Sequence, residues 1–219
     1  MASKKSFYQR VLFVLTHPDV YWQLFKYNVR IVLESMQGLD FVKIEQAPSL
    51  QFSDNRLNGY WSSANKYLDS VLEEIEVEED DKILDIGCGK GAALVKFHRK
   101  GFKQVDGIEY TEKLSVIATK NLKRLRLDCQ IFQSDARYFN GYDHYNYFYF
   151  YNPFTGDIMN DVIRSLEISI KNRPRKIVII YKNAVCDDIV LKHGVFQKIK
   201  EFPNQPNEKP FVIYANQVP

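Results

Sequence analysis

Three glycines, Gly87, Gly89 and Gly91, follow the short apolar stretch 82–86 in this sequence. Glycine allows positive φ angles and lets a ligand come close to the backbone. If the stretch is a buried strand and a helix starts after Gly91, the helix offers the ligand free N–H groups and a positive dipole end. A carboxylate or a phosphate group suits such a site. We therefore predict that this loop, including Cys88, binds the charged end of a cofactor.

Further polar side chains stand where the apolar stretches end. Asp85, just before Gly87, can accept a hydrogen bond from an amino group directly or through water. Glu109 can accept hydrogen bonds from both hydroxyls of a ribose, and Asp135 can accept one from an adenine amino group. The carboxyl ends of parallel strands meet at one crevice of an open α/β sheet. These groups and Asn152 are therefore expected to surround one ligand.

The glycine-rich loop is ambiguous by itself. Residues 87–92 also match the G-x-G-x-x-[GA] pattern of dinucleotide-binding proteins, so the loop alone does not exclude NAD. NAD enzymes use an acid at the position of Glu109 in the same way. Asp85, the helical segment before the first strand and the run Asn152-Pro153-Phe154 argue against NAD. An NAD-dependent oxidoreductase stays an alternative.

Strands and helices alternate after residue 81, which is typical of a mainly parallel sheet covered by helices on both faces. The predicted strands are 82–86, 104–109, 129–132, 145–151, 175–181, 195–202 and 210–215. The predicted helices of this region are 63–75, 92–100, 111–125, 157–171 and 185–193. No helix separates the last two strands, so they are expected to pair as an antiparallel hairpin. The predicted fold class is α/β with a seven-stranded sheet.

The first 58 residues differ from the rest and are expected to form an N-terminal helical extension, with the main domain over 59–219. Helices are predicted over 6–15 and from Pro18 to about Gly38, and Asn58-Gly59 marks a turn. The extension is expected to pack on the main domain. Two alternatives are a lid over the ligand pocket and an amphipathic helix at a membrane surface.

The composition limits the classes of protein. A chain of 219 residues with 45% hydrophobic residues and a net charge of +3 is not largely disordered and does not require a polyanionic partner. The three cysteines form no C-x-x-C pair, so no disulfide framework is expected and a cytoplasmic location fits. The apolar run 11–15 is too short for a membrane span and lacks a signal-peptide cleavage site. No metal site is predicted, because none of the four histidines has an acidic partner at a strand end.

With these residues in the same order, the sequence resembles the class I S-adenosylmethionine-dependent methyltransferases over Tyr60 to Pro219. The run from Leu84 to Gly91 is close to the family's first motif. The resemblance implies a Rossmann-like fold and S-adenosylmethionine as the cofactor. It also implies ribose binding by Glu109 and adenine contacts from Tyr110, Asp135 and Ala136. By the same resemblance, Tyr60 reaches the methionine end.

The run Asn152-Pro153-Phe154 resembles the family's fourth motif, (Asn/Asp)-Pro-Pro-(aromatic). In the family that motif marks methylation of amino nitrogens: carbonyl oxygens accept from the target –NH2 and the ring stacks on the planar target. Asn152 and Phe154 are therefore the predicted catalytic residues. This chain has a single proline there, which puts the second carbonyl in doubt. The alternative is that Asn152 lines the cofactor pocket and Pro153 ends the strand.

The sequence leaves the methyl acceptor open. The short N-terminal segment favours a small molecule, a glycan or a protein side chain, and nucleic acid is not excluded. A protein with this fold can also be a catalytically silent scaffold that only binds S-adenosylmethionine.

Overall fold

The computed structural model describes residues 18–45, 65–154, 156–203 and 210–217. The chain divides into two compact units, residues 1–43 and 44–219. The helix predicted over 6–15 and the domain boundary predicted at residues 58 and 59 lie outside the described residues. The role of the N-terminal extension stays a prediction.

The first unit contains helix α1, Pro18–Met36. The helix ends where Gly38 takes a φ of 71°, and the chain then turns back on the helix. The carboxylate of Glu34 accepts hydrogen bonds from the backbone N–H groups of Phe41 and Val42, at 2.8 and 2.9 Å. A side chain from the last turns of the helix thus secures the segment that follows it.

The second unit carries the alternating elements that the sequence predicts. Its helices are α2 (Lys66–Glu73), α3 (Ala92–Lys100), α4 (Glu112–Arg124), α5 (Gly156–Asn172) and α6 (Asp187–Lys192). Its strands are β1 (Lys82–Ile86), β2 (Gln104–Glu109), β3 (Ile131–Gln133), β4 (Tyr147–Tyr151), β5 (Val178–Lys182), β6 (Phe196–Phe202) and β7 (Phe211–Asn216). Two short 3-10 helices, Ala136–Tyr138 and Tyr142–His144, lie between β3 and β4.

The seven strands form one sheet in the order β3-β2-β1-β4-β5-β7-β6. The first five pair in parallel, and β7 runs antiparallel to both β5 and β6. The predicted fold class, including the C-terminal antiparallel hairpin, is confirmed. The strand that follows β1, β2, is added towards one edge of the sheet, whereas the strand that follows β4, β5, is added towards the other edge. This reversal opens a crevice at the carboxyl ends of β1 and β4, where open α/β sheets bind ligands.

Successive strand residues point to opposite sides of the sheet, and the residues on both sides are buried in core clusters. Leu84 and Ile86 pack into one core cluster with α5 and α6, whereas Ile83 packs into a second cluster with α2 and α3. The strands are therefore nearly continuous apolar runs, as in other parallel sheets. With both faces covered, polar side chains of the strands reach a ligand at the strand ends.

Three further observations concern the classes of protein considered above. In the described ranges, no helix has both the length and the apolar character needed to cross a bilayer. Cys88, Cys129 and Cys186 are free thiols. Among the same residues, no group of three or more His, Cys, Asp or Glu side chains is arranged to hold a metal ion.

Candidate functional site

The glycine-rich loop connects β1 to α3 at the crevice. Gly87, Gly89 and Gly91 all have positive φ angles, of 85°, 55° and 82°. The N–H groups of Gly87 and Cys88 both donate to the carbonyl of Ile108 on β2, each at 2.9 Å. Gly91 is the N-cap of α3 and provides no side chain to cap it. The loop thus has the left-handed geometry expected of a ligand-binding turn at a helix start.

Glu109 is buried at the end of β2 and is held by the loop and by the start of α4. One carboxylate oxygen accepts from the N–H of Gly89 at 2.9 Å. The other accepts from the N–H and the hydroxyl of Thr111, both at 2.9 Å. Burial raises the pKa of Glu109, and these hydrogen bonds oppose the rise because they favour the carboxylate. The side chain is therefore fixed in place beside the glycine-rich loop.

Asp85 lies in the middle of the sheet, opposite Gly107 on β2 and Tyr149 on β4. The residue is only 2% exposed. Its carboxylate accepts no hydrogen bond from the residues that the structure describes. Burial raises its pKa well above the ordinary value, and the nearby charge of Glu109 raises it further. A buried carboxylate in this state is stabilised by a cationic ligand group.

The predicted adenine-contacting residues lie beside the crevice. Tyr110 follows β2 directly and is 37% exposed, so part of its ring is open to a ligand. Asp135 caps the 3-10 helix Ala136–Tyr138, and Arg137 donates to both of its carboxylate oxygens through Nε at 3.1 Å. Asp135 is thus held by a neighbour, although a carboxylate can accept further hydrogen bonds. Ala136 is buried in the core.

The run after β4 packs against the glycine-rich loop. Asn152 has a positive φ of 41°, which turns the chain at the end of the strand. An ideal Cβ placed on Gly87 would lie 2.6 Å from Cβ of Pro153, so the two loops are in close contact. Phe154 is 4% exposed and packs into the core beside Phe150, with ring centroids 6.4 Å apart. Because its ring is buried, the predicted stacking of Phe154 on an acceptor has no support in this geometry.

Two basic residues at the crevice were not singled out from the sequence. Lys90, inside the glycine-rich loop, has a fully buried side chain and pairs with Glu45 at 3.6 Å. Lys182 is buried at the end of β5, where its ammonium lies 4.1 Å from the ring centroid of Tyr151 on β4. Lys182 could have been found from the sequence, because it is a charged residue at the end of a continuous apolar run. No spacing rule connects Lys90 to a residue as distant in sequence as Glu45.

The contact between the two loops leads to a prediction. We expect Gly87→Ala to lower the free energy of unfolding for two reasons: its positive φ and its contact with Pro153. Strained backbone conformations and overpacking each cost about 1–3 kcal/mol. Gly101→Ala is the matched control, because Gly101 has a φ of 101° and no atom within 4 Å of an added Cβ. Urea unfolding of both variants measures the difference. Equal losses of stability would show that Pro153 does not restrict the loop.

The glycine-rich loop lies within the region that matches a known domain family. The family is described as a methyltransferase domain, and it matches residues 83–165. This range contains β1 to β4 and most of α5, and therefore all the predicted cofactor-binding residues from Asp85 to Asn152.

Relatives with known names are methyltransferases. A probable cobalt-precorrin-6B C(15)-methyltransferase (decarboxylating) of Methanococcus maripaludis is 29% identical over 125 residues, 57% of this chain and 61% of the relative. A protein-L-isoaspartate O-methyltransferase of Helicobacter pylori is 32% identical over 105 residues, 44% of this chain and 48% of the relative. The chain thus spans less than two thirds of the length of the curated relatives it matches.

Solved structures show the same fold. A ribosomal protein L11 methylase from Lactobacillus delbrueckii subsp. bulgaricus superimposes with a TM-score of 0.54 over 75% of this chain and 83% of that chain, at 16% identity. At that identity the likeness concerns the fold alone. The family match, the named relatives and the fold agree with the resemblance stated from the sequence. Over residues 83–165 the chain is thus similar to known methyltransferases, as the resemblance to the class I S-adenosylmethionine-dependent family implies.

Proposed function

We propose that this protein binds S-adenosylmethionine at the crevice between β1 and β4 and transfers its methyl group to an acceptor. The observation that carries the proposal is the pair of buried carboxylates, Asp85 and Glu109, beside a glycine-rich loop. When bound, S-adenosylmethionine supplies a methyl group activated by a sulfonium centre. The remaining work of the protein is binding and alignment, which supply much of the rate of such a displacement.

The donor set of the site fits this cofactor. The carboxylate of Asp85 accepts no hydrogen bond from the described residues and would hold the amino group of the methionine moiety. Glu109 would hold the ribose hydroxyls, and the partly open ring of Tyr110 would cover the adenine. The start of α3, which has no side-chain cap, would face the methionine carboxylate. Cys88, Asp135, Ala136 and Asn152 remain proposed cofactor contacts.

The charges of the site favour S-adenosylmethionine over NAD. A pyrophosphate group would meet two buried carboxylates, and the lysine in the loop is paired with Glu45. The sulfonium and ammonium groups of S-adenosylmethionine are instead attracted to those carboxylates. The NAD-dependent oxidoreductase that the loop alone allowed therefore loses its support.

The acceptor is proposed only as a class. The positive φ of Asn152 at the end of β4 keeps an amino nitrogen among the candidates, since this residue can present its carbonyl groups to a target –NH2. The ring of Phe154 is buried beside Phe150, so its stacking on an acceptor stays a prediction. The buried ammonium of Lys182, close to the same strand end, adds a positive charge on that side of the site. We propose a small-molecule, glycan or protein acceptor, and we keep a cytoplasmic location as a prediction.

Calorimetric titration tests the proposal. We expect the 219-residue chain to bind S-adenosylmethionine and S-adenosylhomocysteine, and to bind NAD at least about 100-fold more weakly, because repulsion and the loss of paired groups each cost a few kcal/mol. Gly89→Arg is expected to abolish binding, since it places a large side chain at the backbone N–H that donates to Glu109.

The control is Gly101→Arg, at the end of α3, where an added side chain has open space. Binding of NAD in preference to S-adenosylhomocysteine would contradict the proposal. Transfer of a labelled methyl group to small-molecule, glycan and protein pools then separates an active enzyme from a silent scaffold.

A further inference from the structure

We propose that Glu45 is a positioning residue for the cofactor site, and that it acts mainly by compensating the buried ammonium of Lys90 in the glycine-rich loop. One carboxylate oxygen of Glu45 pairs with Lys90 at 3.6 Å, and the other pairs with Lys113 at 2.7 Å. We call these three residues the clasp. The inference rests on the proposed function, because it assigns the clasp an effect on cofactor binding.

The clasp ties together the two segments that hold Glu109. Lys90 follows Gly89, whose N–H donates to one oxygen of Glu109. Lys113 comes shortly after Thr111, whose N–H and hydroxyl donate to the other oxygen. The loop and the start of α4 are therefore connected twice, once through Glu109 and once through the clasp. Since Lys113 is half exposed, the contact of Glu45 with the buried Lys90 is expected to contribute most of the second connection.

Lys90 is the fully buried member of the clasp. Its carbonyl accepts a hydrogen bond from the side chain of Asn121 on α4 at 3.1 Å. A buried ammonium group is costly unless a carboxylate compensates it, and breaking a buried pair by removing one partner is strongly destabilising. Removing the charge of Glu45 leaves the buried ammonium of Lys90 less well compensated, and Lys90 is then expected to be held less firmly. The loop residues on both sides of it, Gly89 and Gly91, would then be held less firmly as well.

Lys113 has a supporting part in the clasp. Its side chain is about half exposed, so its pairing with Glu45 is screened by solvent. Glu45 itself is buried and lies at the start of the second unit, before the region that matches the domain family. The clasp therefore makes the cofactor loop depend on a residue outside the matched region.

The experiment compares Glu45→Gln with the double variant Glu45→Gln/Lys90→Met in the full chain. We expect Glu45→Gln to weaken S-adenosylhomocysteine binding about tenfold and to speed amide hydrogen exchange in residues 87–91 and 111–115. The double variant should recover affinity to within about threefold of wild type, because an apolar methionine needs no buried counter-charge. Lys113→Met should change affinity by about twofold or less.

Glu74→Gln is the matched control, because Glu74 forms an exposed ion pair with Lys200. It should change neither affinity nor exchange. Unchanged affinity and exchange in Glu45→Gln would overturn the inference. So would faster exchange spread over the whole sheet, or a double variant that binds as weakly as Glu45→Gln. If the wild-type protein binds no S-adenosylhomocysteine, the proposed function fails, and the exchange measurements still decide whether the clasp holds the loop.

Discussion

Glu109→Ala is expected to weaken S-adenosylhomocysteine binding by about 100-fold. A hydrogen bond to a charged group contributes about 1.5–3 kcal/mol, and the carboxylate is proposed to accept two from the ribose. A factor of ten in affinity corresponds to about 1.4 kcal/mol. The variant also leaves the N–H groups of Gly89 and Thr111 without the carboxylate that now accepts from them. The loss therefore combines missing ligand contacts with a less ordered loop.

Two further variants separate these effects. Glu109→Gln keeps the shape of the side chain and one acceptor oxygen, so its loss of affinity should be smaller than that of Glu109→Ala. Glu112→Ala removes an exposed carboxylate from the first turn of α4 and should leave the affinity within about twofold of wild type. Calorimetric titration of the three variants gives the ranking. Wild-type affinity in the Glu109→Ala variant would show that Glu109 does not contribute to cofactor binding.

The sheet was predictable because its signals are local. The run 82–86 is apolar, a glycine-rich turn follows it, and strands and helices alternate up to a final pair of strands without a helix between them. Those signals identify the parallel sheet and the antiparallel hairpin, and the structure confirms both. Right-handed crossover rules then leave few possible strand orders.

The starts of β3, β4 and β5 were predicted two or three residues too early, and for β4 and β5 distant contacts give the reason. The sequence predicts β4 from Tyr145 and β5 from Arg175, but the strands begin at Tyr147 and Val178. The hydroxyl of Tyr145 donates to Asp106 at 2.7 Å, and the guanidinium of Arg175 donates to the carbonyl of Tyr145 at 2.8 Å. These side-chain contacts anchor the chain before the strands start, and strand propensity contains no information about them.

The sequence indicates which strand ends form the candidate site. It does not indicate in which direction every side chain of the site points. Asp85 and Glu109 are buried at the crevice, where the motif places them. The direction of Phe154 depends on packing beside Phe150, so an aromatic residue in a motif does not reveal whether its ring faces a ligand or the core. The pairing of Lys90 with Glu45 depends on the three-dimensional path of a distant segment.

Asp85→Asn is expected to weaken S-adenosylmethionine binding by about 10-fold to 100-fold at pH 8 and to remove most of the pH dependence of that binding. In the free protein, burial and the charge of Glu109 raise the pKa of Asp85 well above its ordinary value. A bound ammonium group favours the carboxylate and lowers that pKa. Binding is therefore coupled to release of a proton. Wild-type affinity should fall as the pH drops through the raised pKa, whereas asparagine has no proton to release.

The stability of the unliganded protein should change in the opposite direction. A carboxyl group whose pKa is higher in the folded state than in the unfolded state stabilises the fold below its unfolded pKa, and this contribution is lost as the pH rises through the folded pKa. Unliganded Asp85→Asn should thus be at least as stable as wild type at pH 8, and the two should converge on acidification. Removing a buried uncompensated charge is the physical reason. A merely structural aspartate would give lower stability instead.

Calorimetry in two buffers of different ionisation enthalpy, together with thermal unfolding across the same pH range, measures both effects. The matched control is Asp128→Asn, which removes an exposed carboxylate and should change neither proton release nor affinity. Equal proton release in wild type and Asp85→Asn would show that another group titrates on binding. A variant that loses affinity and gains stability would show that the buried charge of Asp85 is retained for the cofactor at the expense of the fold, as expected where function and stability conflict.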